Sequence, residues 1–146
     1  MESQANVLSA NTVKKAMPAC LVYALVQSMT FVSERLQSFL LENGIAKRTA
    51  YQAALCTEEI AADYLMHRKA AHQNEKKAYM DIKVFRKEDL LEIIVRNFDD
   101  PYNPLVFERE EESFSKIGIS MIQAVSKDIS YSYAYHLNIV TIAINA

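Results

Sequence analysis

The amino-acid sequence predicts an α+β fold, a two-layer α/β sandwich in which helices cover one face of a mostly antiparallel sheet. Two observations predict it. The N-terminal part of the chain carries apolar residues at helical spacing, whereas later parts contain short stretches in which apolar and polar residues alternate. The alternating stretches come in pairs joined by short links, which is typical of hairpins. Helices and hairpins in separate runs along the chain are typical of α+β domains.

Two helices are predicted in the N-terminal half. Apolar residues recur at helical spacing over residues 18–43, and Gly44 follows as a C-cap. The recurring residues are Leu21, Leu25, Met29, Val32, Leu36 and Leu40. A second helix is predicted over about residues 47–71, where apolar residues again repeat along one face.

The period then changes from helical to alternating. Residues 79–85 and 90–98 are predicted strands, and the polar link between them makes a hairpin. Turn residues and an acidic run then predict a loop, followed by a third helix that begins near residues 115–118 and ends near 126. Two more strands are predicted around residues 129–133 and 139–144. A weak pattern at residues 6–9 suggests a further strand at an edge.

Composition and charge limit the classes of function that this chain can have. The chain has 146 residues, 51% of them hydrophobic, and no linker divides it, so a single domain over residues 1–146 is predicted. A formal net charge of −2 gives no long-range attraction for nucleic acid or an anionic membrane. No apolar run reaches the length of about 20 residues that a membrane span needs. Cys20 and Cys56 fit no metal or redox spacing and are predicted to be buried thiols. We therefore expect a cytoplasmic protein with no nucleic-acid or membrane partner.

A polar stripe runs along the second predicted helix. Glu59, Asp63 and His67 lie four residues apart among apolar neighbours, so they share one face of the helix. This face either meets water or lines a site.

The order of elements and three motifs resemble a known family. The motifs are Glu59-x-x-x-Asp63-x-x-x-His67, the segment VRNFDDPYNPL at residues 95–105 and the segment KIGISMI at residues 116–122. Together they resemble the GHKL ATP-binding fold, also called the histidine kinase-like ATPase fold, and within it the bacterial anti-sigma factor serine kinases and related ATP-binding regulatory domains. The resemblance covers roughly residues 18–145. It implies a regulatory domain that binds ATP or ADP with Mg²⁺, acts on a regulatory protein partner as a possible serine kinase, and can form a homodimer.

The resemblance also implies a role for each matching residue. Glu59 matches the family's general base, and Asp63 stands where the family has an Asn that binds Mg²⁺. A carboxylate oxygen is also a suitable Mg²⁺ ligand. Asn97 and Asp99 stand where the family has an Asp that binds the adenine amino group and a Gly that follows it. At the start of the third helix, backbone amides suit phosphate, and the matching residues are Lys116, Gly118 and Ile119.

Departures from the family pattern favour a second interpretation. Asn97 lacks the charge of a carboxylate, and Asp99 adds a side chain where the base would lie. The segment at residues 108–112, where the family has a lid over the nucleotide, carries four glutamates against one arginine. The alternative is a degenerate, non-catalytic module of the same fold for protein–protein interaction or dimerisation. The sequence does not contain the residue patterns that define P-loop, hydrolase and zinc-binding motifs.

Overall fold

A computed structural model of the chain describes residues 22–25, 29–70, 79–106 and 117–146. In chain order, its elements are strand β1 (Val22–Leu25), helix α1 (Met29–Glu42), helix α2 (Lys47–Ala70), strands β2 (Tyr79–Lys87) and β3 (Leu90–Phe98), helix α3 (Ile117–Val125), and strands β4 (Asp128–Ala134) and β5 (Leu137–Asn145). The weak strand pattern at residues 6–9, Cys20, the acidic run at 108–112 and Lys116 lie outside the described residues.

The strands form one five-stranded sheet in the order β1-β2-β3-β5-β4. Every neighbouring pair is antiparallel, which confirms the predicted antiparallel sheet. β2 and β3 form one hairpin, and β4 and β5 form the other. The contact between β3 and β5 joins the two hairpins in the middle of the sheet.

The predicted start of the first helix is wrong. Residues Val22–Leu25 form β1, which pairs with the beginning of β2, and α1 begins only at Met29. A short apolar run fits a strand or a buried helix equally well by its periodicity, so pairing with a distant strand decides between them. The later part of the prediction is confirmed, because Val32, Leu36 and Leu40 are buried on one side of α1.

The predicted C-cap of this helix is also confirmed. Gly44 has a φ of 80°, a conformation that costs little only for a residue without a Cβ atom. Its amide donates to the Leu41 carbonyl at 3.1 Å, and the Ile45 amide donates to the Leu40 carbonyl at 3.0 Å. These two bonds form a Schellman motif, which ends α1 and turns the chain toward α2.

The core lies between the helices and one face of the sheet. Burial alternates along β3 and β5, so every second side chain points inward while its neighbours stay half-buried. The inward residues form one cluster with residues of all three helices, among them Leu36, Leu40, Ile60, Ala61, Ile119 and Ile122. Cys56 is a free, buried thiol, as predicted. The described chain is therefore α+β, and its layers are compatible with the predicted two-layer sandwich.

Candidate functional site

The polar stripe of α2 faces other parts of the protein. Glu59, Asp63 and His67 are all half-buried. Glu59 lies against α3, whereas Asp63 and His67 contact the segment that follows β3. The stripe therefore lines the region between α2, α3 and this segment.

The carboxylate of Glu59 lies against Gly118, in the first turn of α3. A Cβ atom placed on Gly118 would come within 1.8 Å of Glu59 Oε2 and 2.7 Å of Glu59 Cδ. Glycine leaves room for the carboxylate here, and any larger residue would displace the end of the Glu59 side chain. The first turn of a helix carries partial positive charge, which favours an anion nearby. The Glu59 carboxylate thus lies beside the helix end to which the resemblance assigns phosphate.

Glu59 also affects a neighbouring thiol. Burial raises the pKa of Cys56 to about 11, and the negative charge of Glu59 is the second cause. A thiol with such a pKa stays protonated near neutral pH and is a poor nucleophile. Cys56 is therefore a structural residue of α2.

Gly118→Ala is expected to lower the free energy of unfolding by up to about 1 kcal/mol, because the new methyl group moves the Glu59 carboxylate away from the end of α3. In a Glu59→Ala background the same substitution should be neutral or stabilising, since alanine is a better helix former than glycine by up to about 1 kcal/mol. Urea denaturation of the four proteins gives the coupling energy. Equal losses in both backgrounds would contradict the contact.

Tyr102 fills the space beside Asp63 and His67. Its hydroxyl donates to Asp63 Oδ2 at 2.6 Å, and its ring stacks on the His67 imidazole with centroids 3.7 Å apart and planes 8° apart. Its amide donates to Asn138 Oδ1 at 2.8 Å. Three contacts therefore hold Tyr102 in place, and one of them is to Asp63, the predicted metal-binding residue.

Asn97 is bonded to a residue that sequence reasoning missed. Asn138 lies opposite Asn97 in the register of β3 and β5, and its Nδ2 donates to Asn97 Oδ1 at 3.0 Å. Asn138 is only 2% exposed, and it also accepts a bond from the Tyr131 hydroxyl at 2.6 Å. The oxygen that the resemblance assigns to adenine is thus engaged by the protein itself.

Asp99 is bonded to Arg68, a second residue that sequence reasoning missed. Arg68 Nη1 donates to Asp99 Oδ2 at 2.6 Å, and the Tyr64 hydroxyl donates to the same oxygen at 3.0 Å. The side chains of Arg68 and Asp99 are only 6% and 18% exposed. The result is a largely buried ion pair on the inner side of α2.

Burial, hydrogen bonds and the Arg68 charge together set the protonation of this cluster. Burial raises the pKa of Asp99, but hydrogen bonds from the Asp100 amide, Tyr64 and Arg68, together with the Arg68 charge, outweigh it and lower the pKa below the ordinary value. Burial, aided by the hydrogen bond and charge of Asp99, raises the pKa of Tyr64 to about 12. Asp99 therefore stays a carboxylate and Tyr64 stays a donor over the physiological pH range.

The space left between these side chains is small. A cavity of about 10 Å³ lies between α2, β3, β5 and the segment after β3. Its lining includes Asp63, Asn97, Tyr102 and Asn138. This volume is near the lower limit for one water molecule.

The remaining predicted site residues are placed as follows. The side chain of Ile119 is buried in the core, where it packs with the other cluster residues. Lys116 lies outside the described residues. Within the described ranges, no group of three or more His, Cys, Asp or Glu side chains is placed to hold a metal ion. Metal binding by Asp63 and base catalysis by Glu59 stay predictions.

Comparisons with protein-family models and with curated proteins found no match for this chain. The resemblance to the GHKL fold therefore stays a prediction. Among the helices that the structure describes, none has both the length and the apolar character that a membrane crossing requires.

Proposed function

We propose that this chain is a non-catalytic regulatory module of GHKL type that acts by binding a protein partner. The observation that carries the proposal concerns the region between α2 and the sheet, which we call the cleft. The side chains of Asn97, Tyr102 and Asn138 leave little space in it. Pockets for small ligands usually have volumes of about 300–1,000 Å³. The cavity beside Asp63 and Asn97, two positions that the resemblance assigns to nucleotide binding, has only about 10 Å³.

The cost of opening this cleft supports the proposal. A nucleotide could enter only after Tyr102 had left Asp63 and His67, and after Asn97 had lost its bond to Asn138. Each net hydrogen bond is worth about 1 kcal/mol, and the ring stacking adds a similar amount. A rearrangement of about 3 kcal/mol would weaken nucleotide binding by roughly a hundredfold.

A second candidate function is an ATP-binding regulatory domain that resembles the anti-sigma factor serine kinases. Two observations favour it. Glu59 contacts Gly118, and Asp63 lies one turn after Glu59 on α2, so these three assigned residues lie close together. In this candidate Asp63 would bind Mg²⁺, Asn97 the base, and the amides of Gly118 and Ile119 the phosphates. Glu59 would accept the proton of the attacked serine hydroxyl.

Thermal unfolding with and without millimolar Mg-ATP or Mg-ADP separates the two candidates. For the non-catalytic module we expect no change in Tm. A nucleotide present at a hundred times its Kd would add about 2.7 kcal/mol and raise Tm by several degrees. A rise in the unchanged protein that disappears in Asp63→Ala would establish the second candidate and overturn the first.

A further inference from the structure

One face of the sheet carries no described helix, and we call it the outer face. The three helices pack on the other face, where alternate residues of β3 and β5 point inward. The residues between them point outward, are half-buried, and do not belong to the core cluster. At the centre of the outer face, these residues are Phe85, Glu92, Ile94, Arg96, Ile139 and Thr141.

Three of these residues form an apolar row across the outer face. Phe85 lies diagonal to Ile94 across β2 and β3, and Ile139 lies diagonal to Ile94 across β3 and β5. When one face of an antiparallel sheet is solvated, that face is commonly polar. The apolar row therefore favours contact of the outer face with another surface.

The charges on β3 lie symmetrically about Ile94. Glu92 precedes it by two residues and Arg96 follows it by two, so the three side chains share the outer face at intervals of about 7 Å. Arg96 Nε donates to Asp81 Oδ1 at 2.7 Å, and Lys87 Nζ lies 3.1 Å from Glu92 Oε1. These contacts with β2 hold both charged groups on the face. The order negative, apolar, positive is complementary to itself when it is read in the opposite direction.

A two-fold axis beside Ile94, perpendicular to β3, uses this complementarity. It places β3 of one copy antiparallel over β3 of a second copy, as in an isologous interface. The two Ile94 side chains then meet at the axis, and Glu92 of each copy faces Arg96 of the other. Sheets that pack face to face lie about 10 Å apart, a gap that a glutamate and an arginine can bridge together.

The outer face is also large enough for such an interface. Strands β2, β3 and β5 have nine residues each, and β4 has seven. Together the four strands span about 20 Å by 30 Å, which is on the order of 600 Å² of flat area. Projecting side chains make the accessible area larger than this. A standard interface buries about 800 Å² of accessible surface per partner, so contact over the whole face approaches that size.

We infer that the outer face joins two copies of this chain in a symmetric dimer, with Glu92 and Arg96 paired across the interface on both sides of Ile94. The occupant of the face is thus a second copy. The inference goes beyond the proposed function and does not depend on it, because the cleft lies on the opposite face of the sheet, against Val95 and Val140.

Sedimentation velocity of the full chain over a series of concentrations tests the inference. We expect an equilibrium between monomer and dimer. Glu92→Arg and Arg96→Glu should each raise the Kd of the dimer by about tenfold or more, because each places like charges opposite one another. A chain that stays monomeric at millimolar concentration, or a dimer that survives both substitutions, would overturn the inference.

A mixture of these two variants is the sharper test. The Glu92→Arg chain carries arginine at both positions, and the Arg96→Glu chain carries glutamate at both. The two-fold axis places position 92 of one chain opposite position 96 of the other, so the mixed pair is complementary at both contacts. Equimolar mixing should therefore give a dimer that neither variant forms alone. If circular dichroism shows both variants folded and their mixture stays monomeric, the inference is wrong.

Glu34→Arg is the matched control for Glu92→Arg. It changes the net charge by the same amount, and Glu34 is exposed on α1, which packs on the inner face. The Kd of the dimer should not change. Weakening equal to that of Glu92→Arg would show that net charge controls association, and would overturn the role of the outer face.

Lys83→Ala tests the position of the axis. Lys83 lies directly opposite Ile94 in the register of β2 and β3, so the axis also brings two lysines toward each other. Removal of this like-charge pair should lower the Kd of the dimer by about twofold to fivefold. A higher Kd would contradict the axis beside Ile94 and overturn the inference.

Discussion

Replacing Ile93 by alanine is expected to lower the free energy of unfolding by about 2–5 kcal/mol. Ile93 is fully buried and lies in the middle of β3, the strand that pairs with both β2 and β5. The substitution leaves a cavity that rigid neighbours on both strands and on the helices cannot close. Urea denaturation followed by circular dichroism measures the loss.

Ile94→Ala is the matched control on the same strand. Ile94 points to the opposite face, where it is half-buried between Lys83 and Thr141. Its truncation removes the same atoms from a site that water already reaches, so we expect a loss of about 1 kcal/mol or less. Similar losses for both variants would contradict a core on one face of the sheet.

The second large effect is expected for Arg68→Ala, with a loss of about 2–4 kcal/mol near neutral pH. The substitution leaves Asp99 as a largely buried carboxylate without its cation. Removing one partner of a buried ion pair is strongly destabilising, because the charge that stays is uncompensated. Because the pKa of Asp99 is lowered in the folded protein, the pair stabilises above the ordinary Asp pKa of 3.8 and loses this contribution as pH falls through the lowered value. The difference between the two proteins should therefore shrink in acid, as urea denaturation at several pH values will measure.

Removal of both charges provides the control for this experiment. Arg68→Met combined with Asp99→Asn leaves no unpaired charge, so it should cost less than Arg68→Ala alone. A loss for Arg68→Ala that does not depend on pH, or a larger loss in the double variant, would show that the charge of Asp99 is not what Arg68 stabilises.

Most of the fold could be predicted because its periodicities are local. The alternation at β2, β3, β4 and β5 and the repeat in α2 appear directly in the sequence and match the structure. β1 could not be predicted in the same way. Its four residues fit the repeat of the following helix, and only their pairing with β2, far along the chain, makes them a strand.

The candidate site was predictable only in part. The four-residue spacing placed Glu59, Asp63 and His67 on one face of α2, and the structure brings that face against the rest of the chain. The bond between Arg68 and Asp99 could not be predicted, because it depends on the path of the chain after β3. The hydrogen bonding of Asn138 could have been predicted, since a polar residue at an inward-facing strand position requires a partner.

The sheet order also has a consequence for the sequence of folding events. Each hairpin joins neighbouring segments and can form within microseconds, whereas β1 is separated from β2 by both long helices and must close a long loop. β1 is therefore expected to dock late and, once docked, to detach at a lower free energy than the hairpins. Its amides should exchange with solvent deuterium well before those of β3, so the β2 side of the sheet can become accessible while the hydrophobic interior stays intact.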